Sequence, residues 1–590
     1  MPYKTYLLLI AITLLVAPAA RAEEPAFVLN APVAASSAPV GIAGLNVTLR
    51  PVPGAAPAEE QFAKRGLSLR PWDGQSFRDG EWIARPGELV RLRLQASGAP
   101  DCGRAVLTIW DWLGNAVYTK PYGSFPVDDV VAFKPACHGI WLATLDAYGD
   151  SSSASLKSRL LKSFGAPVDS SGARKLWRKK SDYLVGSCFF PDRYYHWGAS
   201  WKFTSPILTP AEGVDRLADL AARAGFTSLR LDSTDKNSEV LGILARHDIQ
   251  AVYKVYPTVK IFTDKSLTVE SAAMDAWNAS LDRLIASDLM PGDHRVAWVE
   301  IGNEPAHAEF WNGTREQYEL LYDQARKRIR AANPSMLVIE GGSCPPGADL
   351  DGLRRKDPDA YAAKKKEEDD WYAGLYRDTA ADQSVWPYHQ HELLGKPALD
   401  WREWERKSLA DVGFKGKFLQ TEGGVCAWRP DREVTTWAPM LEKMLYSWSQ
   451  GEMGWIQFAL AADTGSSRCE DGWSIIYAGD LTPKFQYGTI AAFTSALAGC
   501  TFDRTLSPLV LDDRGEDPTI ALLFNHPGGK MVVWFGNQSR PQLTIRSNAR
   551  SAILIDPMGN PSPAGVGTAA TLRYAPYPQY LLLKGATDVH

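Results

Sequence analysis

Cysteine is scarce in this chain of 590 residues. Seven are present, Cys102, Cys137, Cys188, Cys344, Cys426, Cys469 and Cys500. No two of them form a Cys-x-x-Cys pair, which argues against a structural zinc site. The odd number leaves at least one thiol free or bonded to another molecule. Cys102 with Cys137, in one β-rich region, and Cys426 with Cys469, each after a strand of the central region, are the candidate disulfides. An excess of charge of either sign is also lacking. Lys and Arg number 64 against 68 Asp and Glu, a net charge of −4, so no electrostatic footprint for nucleic acid exists. Long apolar runs are missing too. The one run near the N-terminus is too short to cross a bilayer, so the mature protein is expected to have no membrane span. No glycine-rich phosphate loop follows an early strand, which disfavours a doubly wound nucleotide-binding sheet. Internal repeats are absent.

The N-terminus carries a positive residue, Lys4, then an apolar stretch from Tyr6 to Val16. Ala20-Arg21-Ala22 fits an A-x-A cleavage site, and Glu23-Glu24-Pro25 begins a polar segment. Together these read as a signal peptide over 1–22, with a periplasmic or extracellular mature protein. Hydrophobic residues make up 45% of the chain, and 21 Trp and 22 Tyr are many for this length. Such aromatics serve either large cores or flat platforms for sugar rings.

Three regions follow. Residues 23–165 read as an N-terminal β-sandwich domain, with alternating runs such as Val90–Leu94, Ala105–Trp110 and Gly139–Asp146 between Gly/Pro turns. The Ala/Pro-rich stretch 31–58 within it reads as extended. From 181 to 498 the rhythm becomes strand, loop, helix. Strands are expected near 182–188, 226–232, 250–256, 295–302, 336–340, 384–388, 417–421 and 454–458. Thr209-Pro210 supplies an N-cap and a proline at the first helical position for a helix to Arg223. Eight strands alternating with helices give an α/β fold, a TIM (β/α)8 barrel. Residues 501–590 read as a C-terminal β-sandwich domain. The run Lys364–Asp370 reads as a solvated helix face.

In a parallel barrel, functional side chains gather where strands end. The second strand ends with Arg230 and Asp232, the fourth with Asn303 and Glu304. The sixth ends with Tyr388, His389 and His391, the seventh with Glu422, and the eighth carries Trp455 and Gln457. Two facing carboxyls suit glycosidic bond cleavage. One donates a proton to the leaving oxygen. The other attacks the anomeric carbon, with retention when the two stand about 5–5.5 Å apart.

The ordered pair Gly302-Asn303-Glu304-Pro305 and Thr421-Glu422-Gly423-Gly424 resembles clan A of the glycoside hydrolases, with families 5 and 39 the nearest shapes. The resemblance covers about 181–495 and implies a retaining mechanism. Glu304 is then the acid/base, Glu422 the nucleophile, and Asn303 a contact to the sugar 2-hydroxyl. It further implies that Arg230 holds the nucleophile ionised, Tyr388 hydrogen-bonds it, and Trp455 lies under the bound sugar. His389 joins the substrate contacts, while His307 and His391 read as rim hydrogen bonds. The clan's His-x-Tyr at the sixth strand is Trp386-Pro387-Tyr388 here. Trp197, Trp201, Trp428 and Trp473 are candidate stacking platforms, and Glu300 and Glu340 read as structural. A raised pKa is expected for Glu304, beside a second carboxylate. The chemistry needs no cofactor and no metal. The function expected is an exported retaining O-glycoside hydrolase acting on a carbohydrate, a poly- or oligosaccharide. The alternatives are a carbohydrate-binding protein on an inactive barrel and a transglycosylase.

Overall fold

The computed structural model describes residues 27–29, 41–42, 67–71, 82–96, 103–149, 156–191, 209–232, 237–345, 356–426, 435–462, 470–477, 481–537, 542–565 and 569–590. The expected signal peptide at 1–22, Cys102, Cys469, Trp197, Trp201 and Trp428 lie outside these residues, so both candidate disulfides do as well.

Eight parallel strands form the centre: β1 (Leu184–Phe189), β2 (Ser228–Asp232), β3 (Gln250–Val255), β4 (Val296–Ile301), β5 (Leu337–Glu340), β6 (Val385–Gln390), β7 (Lys417–Gly423) and β8 (Gly454–Gln457). Their order around the sheet is β5-β4-β3-β2-β1-β8-β7-β6. The ring closes just beyond β5, where His389 N–H donates to the Ser343 carbonyl at 2.6 Å. Helices α1 (Pro210–Arg223), α2 (Asn237–Arg246), α3 (Ser271–Asp288), α4 (Arg315–Ala332), α5 (Pro358–Thr379), α6 (Lys396–Asp411), α7 (Trp437–Ser449) and α8 (Phe485–Ala496) follow the strands in turn. At α1 the expected start is seen in full. Thr209 accepts from the Glu212 N–H while the Glu212 side chain accepts from the Thr209 N–H, and Pro210 opens the first turn. This reciprocal pairing satisfies two donors that a helix start leaves orphaned.

Strand alternation decides what lies inside the barrel. Val252, Trp298, Ile339, Val385, Leu419 and Ile456 form its dry interior. Two residues further along β4, the inward position is Glu300, fully buried. The alternate residues, Val299 and Ile301, pack outward against the helices. A polar layer of Arg230, Lys254, Glu300, His389 and Thr421 therefore caps the apolar layer towards the carboxyl ends of the strands.

Two β regions flank the barrel. The first has a sheet of Phe27–Leu29, Val127–Pro135, Val90–Ala96 and Leu67–Pro71 and a sheet of Ala116–Tyr122, Arg104–Trp110, Gly139–Tyr148 and Leu156–Ala166. Leu92, Leu94 and Phe133 of one meet Leu107, Ile109, Trp141 and Phe164 of the other in a shared core. The second has a six-stranded antiparallel sheet built from 501–584 and a three-stranded sheet. Gly41–Ile42 joins that second region, pairing with Thr571 and Leu572. The fold is thus a TIM (β/α)8 barrel between β domains, as the strand and helix rhythm implied. Among the described residues, no helix is long and apolar enough to cross a membrane.

Candidate active site

The end of β4 is shaped by its neighbours. The Tyr318 hydroxyl, from α4, donates to the Ile301 carbonyl at 2.6 Å. Gly302 then turns with φ of 90°, and a Cβ there would stand 3.0 Å from the Tyr318 ring. Glu304 itself takes φ of 40°, a left-handed conformation that costs a non-glycine residue about 1–2 kcal/mol. Its N–H is fixed by the Gly341 carbonyl at 2.7 Å. The glycines after β5 make the room for this. A Cβ at Gly341 would lie 2.6 Å from the Asn303 nitrogen, and one at Gly342 would lie 2.5 Å from His389 Nε2.

Arg230 organises the floor of the site. Its Nε and Nη2 donate to both oxygens of Glu300, at 2.7 and 2.8 Å. Nη1 donates to Glu422 Oε2 at 2.7 Å, and Nη2 also reaches Asn303 Oδ1 at 2.8 Å. The fixed fork of a guanidinium suits this three-way engagement. Burial would raise the pKa of Glu422. The positive charge of His389, a hydrogen bond from His391 and the Arg230 charge outweigh it and hold the carboxyl far below its ordinary range.

Glu304 faces Glu422 across the mouth. Oxygens of the two carboxyls and a nitrogen of His391 all lie within 4.8 Å of one another. His389 Nδ1 is 2.7 Å from Glu304 Oε1 and 3.8 Å from Glu422 Oε2. On the other side, His307 Nδ1 is 3.3 Å from Glu304 Oε2. The ionisation of Glu304 differs from the sequence expectation. Burial does push its pKa up, but hydrogen bonds from His307 and His389 prevail, and the net shift is well below the ordinary value. The two imidazoles were not part of the expected balance. His389 moves the opposite way. Burial lowers it, yet Glu422, Glu300 and Glu304 together raise it to about 9.

Asn303, Arg230, His389, Glu304 and Glu422 are thus brought together. Two expected residues are not. Tyr388 points out of the barrel, donating its hydroxyl to Glu452 Oε2 at 2.5 Å beneath the Arg402 guanidinium, 3.4 Å from the ring centre. A residue next to an inward His389 must face outward, so its assignment beside Glu422 is corrected. Trp455 is likewise the outward neighbour of the inward Ile456. It is buried against the helices, with Lys443 Nζ 5.3 Å from its ring, and does not underlie the mouth. Phe458 takes the aromatic place at this end of β8, 5.7 Å from the His391 ring. Trp473, a candidate platform, lies 4.9 Å from the same His391.

Three further residues were not expected in the site. Cys344 Sγ is 3.2 Å from His307 Nε2. Glu368, inside the charged run read as solvated, turns inward and is only 6% exposed. Lys254 Nζ is 3.4 Å from Asn303 Oδ1. For Lys254 the period of two from Val252 was a usable signal. For Cys344 and Glu368 none was. Donor atoms of Glu304, His307 and Cys344 are also close enough for a cation. His307 stands between the other two, its Nδ1 facing Glu304 and its Nε2 facing Cys344.

No family model matches the chain, and no curated protein matches it. Solved structures do. A family 39 glycoside hydrolase from Bacteroides cellulosilyticus WH2 aligns with a TM-score of 0.52 at 16% identity, over 86% of this chain and 99% of that one. An FMN-binding beta-glucuronidase from Facaelibacterium prausnitzii L2-6 aligns with a TM-score of 0.37 at 11% identity, over 88% of this chain and 70% of that one. The first of these shows the fold. The chain shares with it a (β/α)8 barrel that has β domains on either side.

Proposed function

We propose that the protein is a retaining O-glycoside hydrolase that acts on a poly- or oligosaccharide outside the cytoplasm. The observation that carries this reading is the approach of Glu304 to Glu422, whose nearest carboxyl oxygens stand within 4.8 Å. That spacing suits direct attack by a carboxylate, because an inverting pair needs about 6.5–9.5 Å to admit a water.

The roles follow from the surroundings. Glu422 is ionised and aimed by Arg230, so it is the nucleophile. Glu304 is held by two imidazoles that store protons beside it, so it passes a proton to the leaving oxygen. It later takes one from the attacking water. Asn303, oriented by Arg230 and Lys254, offers its amide to a sugar hydroxyl. Once Glu422 is esterified, the negative charge opposing Glu304 is gone and Glu304 can act as base. The signal segment at 1–22 supports export.

Product analysis tests this. The wild type acting on aryl glycosides should release, as first product, the anomer of the substrate's own configuration, read by proton NMR before mutarotation. Release of the opposite anomer contradicts the double displacement. Binding without turnover would instead favour a carbohydrate-binding protein, and transfer to added acceptor sugars a transglycosylase.

A further inference from the structure

The two imidazoles flanking Glu304 are not equivalent. His389 is completely buried, and three carboxylates face it: Glu304 at 2.7 Å, Glu422 at 3.8 Å and Glu300 at 3.9 Å. Such a cation is locked in place. His307 is different, with a side chain 19% exposed. It sits on the same turn as Glu304, its N–H donating to the Glu304 carbonyl at 2.8 Å. Its Nδ1 faces Glu304 Oε2 at 3.3 Å, and its Nε2 faces Glu368 Oε2 at 3.8 Å. That Glu368 oxygen is buried and has no hydrogen-bond partner.

We propose that His307 is the positioning residue that reloads Glu304 with its proton during turnover, with Glu368 holding its far side. The inference rests on the glycosidase reading above. In the first step, His307 Nδ1–H passes its proton to Glu304 Oε2, and Glu304 passes one to the leaving oxygen. The glycosidic C–O bond breaks as Glu422 bonds to the anomeric carbon. His307 is left neutral. In the second step, water attacks the anomeric carbon and the bond to Glu422 breaks. The water proton goes to Glu304 and on to His307, restoring the starting charges.

The groups facing His307 support this assignment. Burial lowers its pKa, but the hydrogen bond and charge of Glu304 and the charge of Glu368 raise it above the ordinary histidine value, against repulsion from His389. Cys344, after β5, adds a thiol 3.2 Å from Nε2. Burial, the nearby Glu304 charge and other acidic neighbours push that thiol's pKa up, net of an opposing hydrogen bond from Tyr372. On α5, the Tyr372 hydroxyl lies 3.5 Å from that sulfur. Lys364 lies 3.9 Å from the other Glu368 oxygen. An imidazolium between two carboxylates, open to water at one edge, can exchange its proton where His389 cannot.

Two measurements test it. The first needs no substrate. In protein carrying 13C-labelled histidine, the His307 resonance, assigned with His307→Gln, should titrate above the usual midpoint of about 6.5. The midpoint should fall in Glu304→Gln and, by less, in Glu368→Gln. A midpoint that neither variant moves overturns the proposal. The second uses aryl glycosides whose phenols span a range of acidity. His307→Gln keeps a donor to Glu304 but cannot relay a proton. It should lose about 100-fold in kcat/KM on the least acidic leaving groups and little on dinitrophenolates, with KM nearly unchanged. An equal loss on every substrate marks a structural role and also overturns it. Glu304→Gln is run alongside. If it shows no leaving-group dependence, the acid/base assignment itself fails. If the wild type turns over no aryl glycoside, the glycosidase reading fails. In either case the titration still decides whether His307 and Glu304 share a proton.

Discussion

At the scale of single residues, the centre of this protein is a contest between burial and charge. Desolvation disfavours every charged group near the mouth, and Arg230, His389 and His307 overcome it for Glu300, Glu422 and Glu304. The consequence for stability has a definite sign. His389 binds its proton more tightly in the folded state, at about 9, than in the unfolded chain, at about 6.5. Its contribution is therefore full below about pH 6.5 and lost as pH rises through about 9. Urea unfolding from pH 6 to 10 should show stability falling over that window, and His389→Asn should lack this component. The same fall in the variant would contradict the assignment. Glu304 and Glu422 were legible in the sequence because each ends a strand in a marked motif. The ionisation of Glu304 was not, because His307 and His389 come from a turn and a distant strand whose approach only the fold fixes.

At the scale of elements, the period of two in a strand sorted the candidates. His389 and Tyr388 were both placed at the site from sequence, yet adjacent strand residues face opposite sides. Once His389 is inward, Tyr388 must belong to the outer network of Arg402 and Glu452. Trp455 beside Ile456 repeats the lesson. Tyr388→Phe should therefore leave kcat/KM within about twofold of wild type. It should cost about 1–3 kcal/mol of stability, since the buried Glu452 loses a donor. Denaturant midpoints and aryl glycoside kinetics check both. A 100-fold loss of kcat without loss of stability would put Tyr388 back beside Glu422. Glu368 shows the limit of reading charge runs. Lys365–Asp369 and Lys366–Asp370 do form surface pairs along α5. Glu368, between them, turns in.

At the scale of the whole molecule, strand and helix rhythm was enough to imply a barrel between β domains. What it did not show is how tightly the three regions join. Trp112 of the first β region packs edge-on to Trp437 of α7 at 5.5 Å and to Tyr577 of the second at 5.7 Å. Asn560 grips the backbone of His138, accepting its N–H at 2.8 Å and donating to its carbonyl at 2.9 Å. These contacts join residues hundreds of positions apart, and no local pattern announces them. Trp112 braces the helix side of the barrel through Trp437, away from the ends of the strands where the candidate site lies.

The proposed double displacement depends on Glu422 as nucleophile. The measurement that tests it most directly is turnover of an activated aryl glycoside by Glu422→Ala, with and without sodium azide. Activity should be abolished without azide. With it, activity should return and yield a glycosyl azide of inverted anomeric configuration. Near wild-type hydrolysis by the variant, unaffected by azide, would rule out Glu422 as the nucleophile.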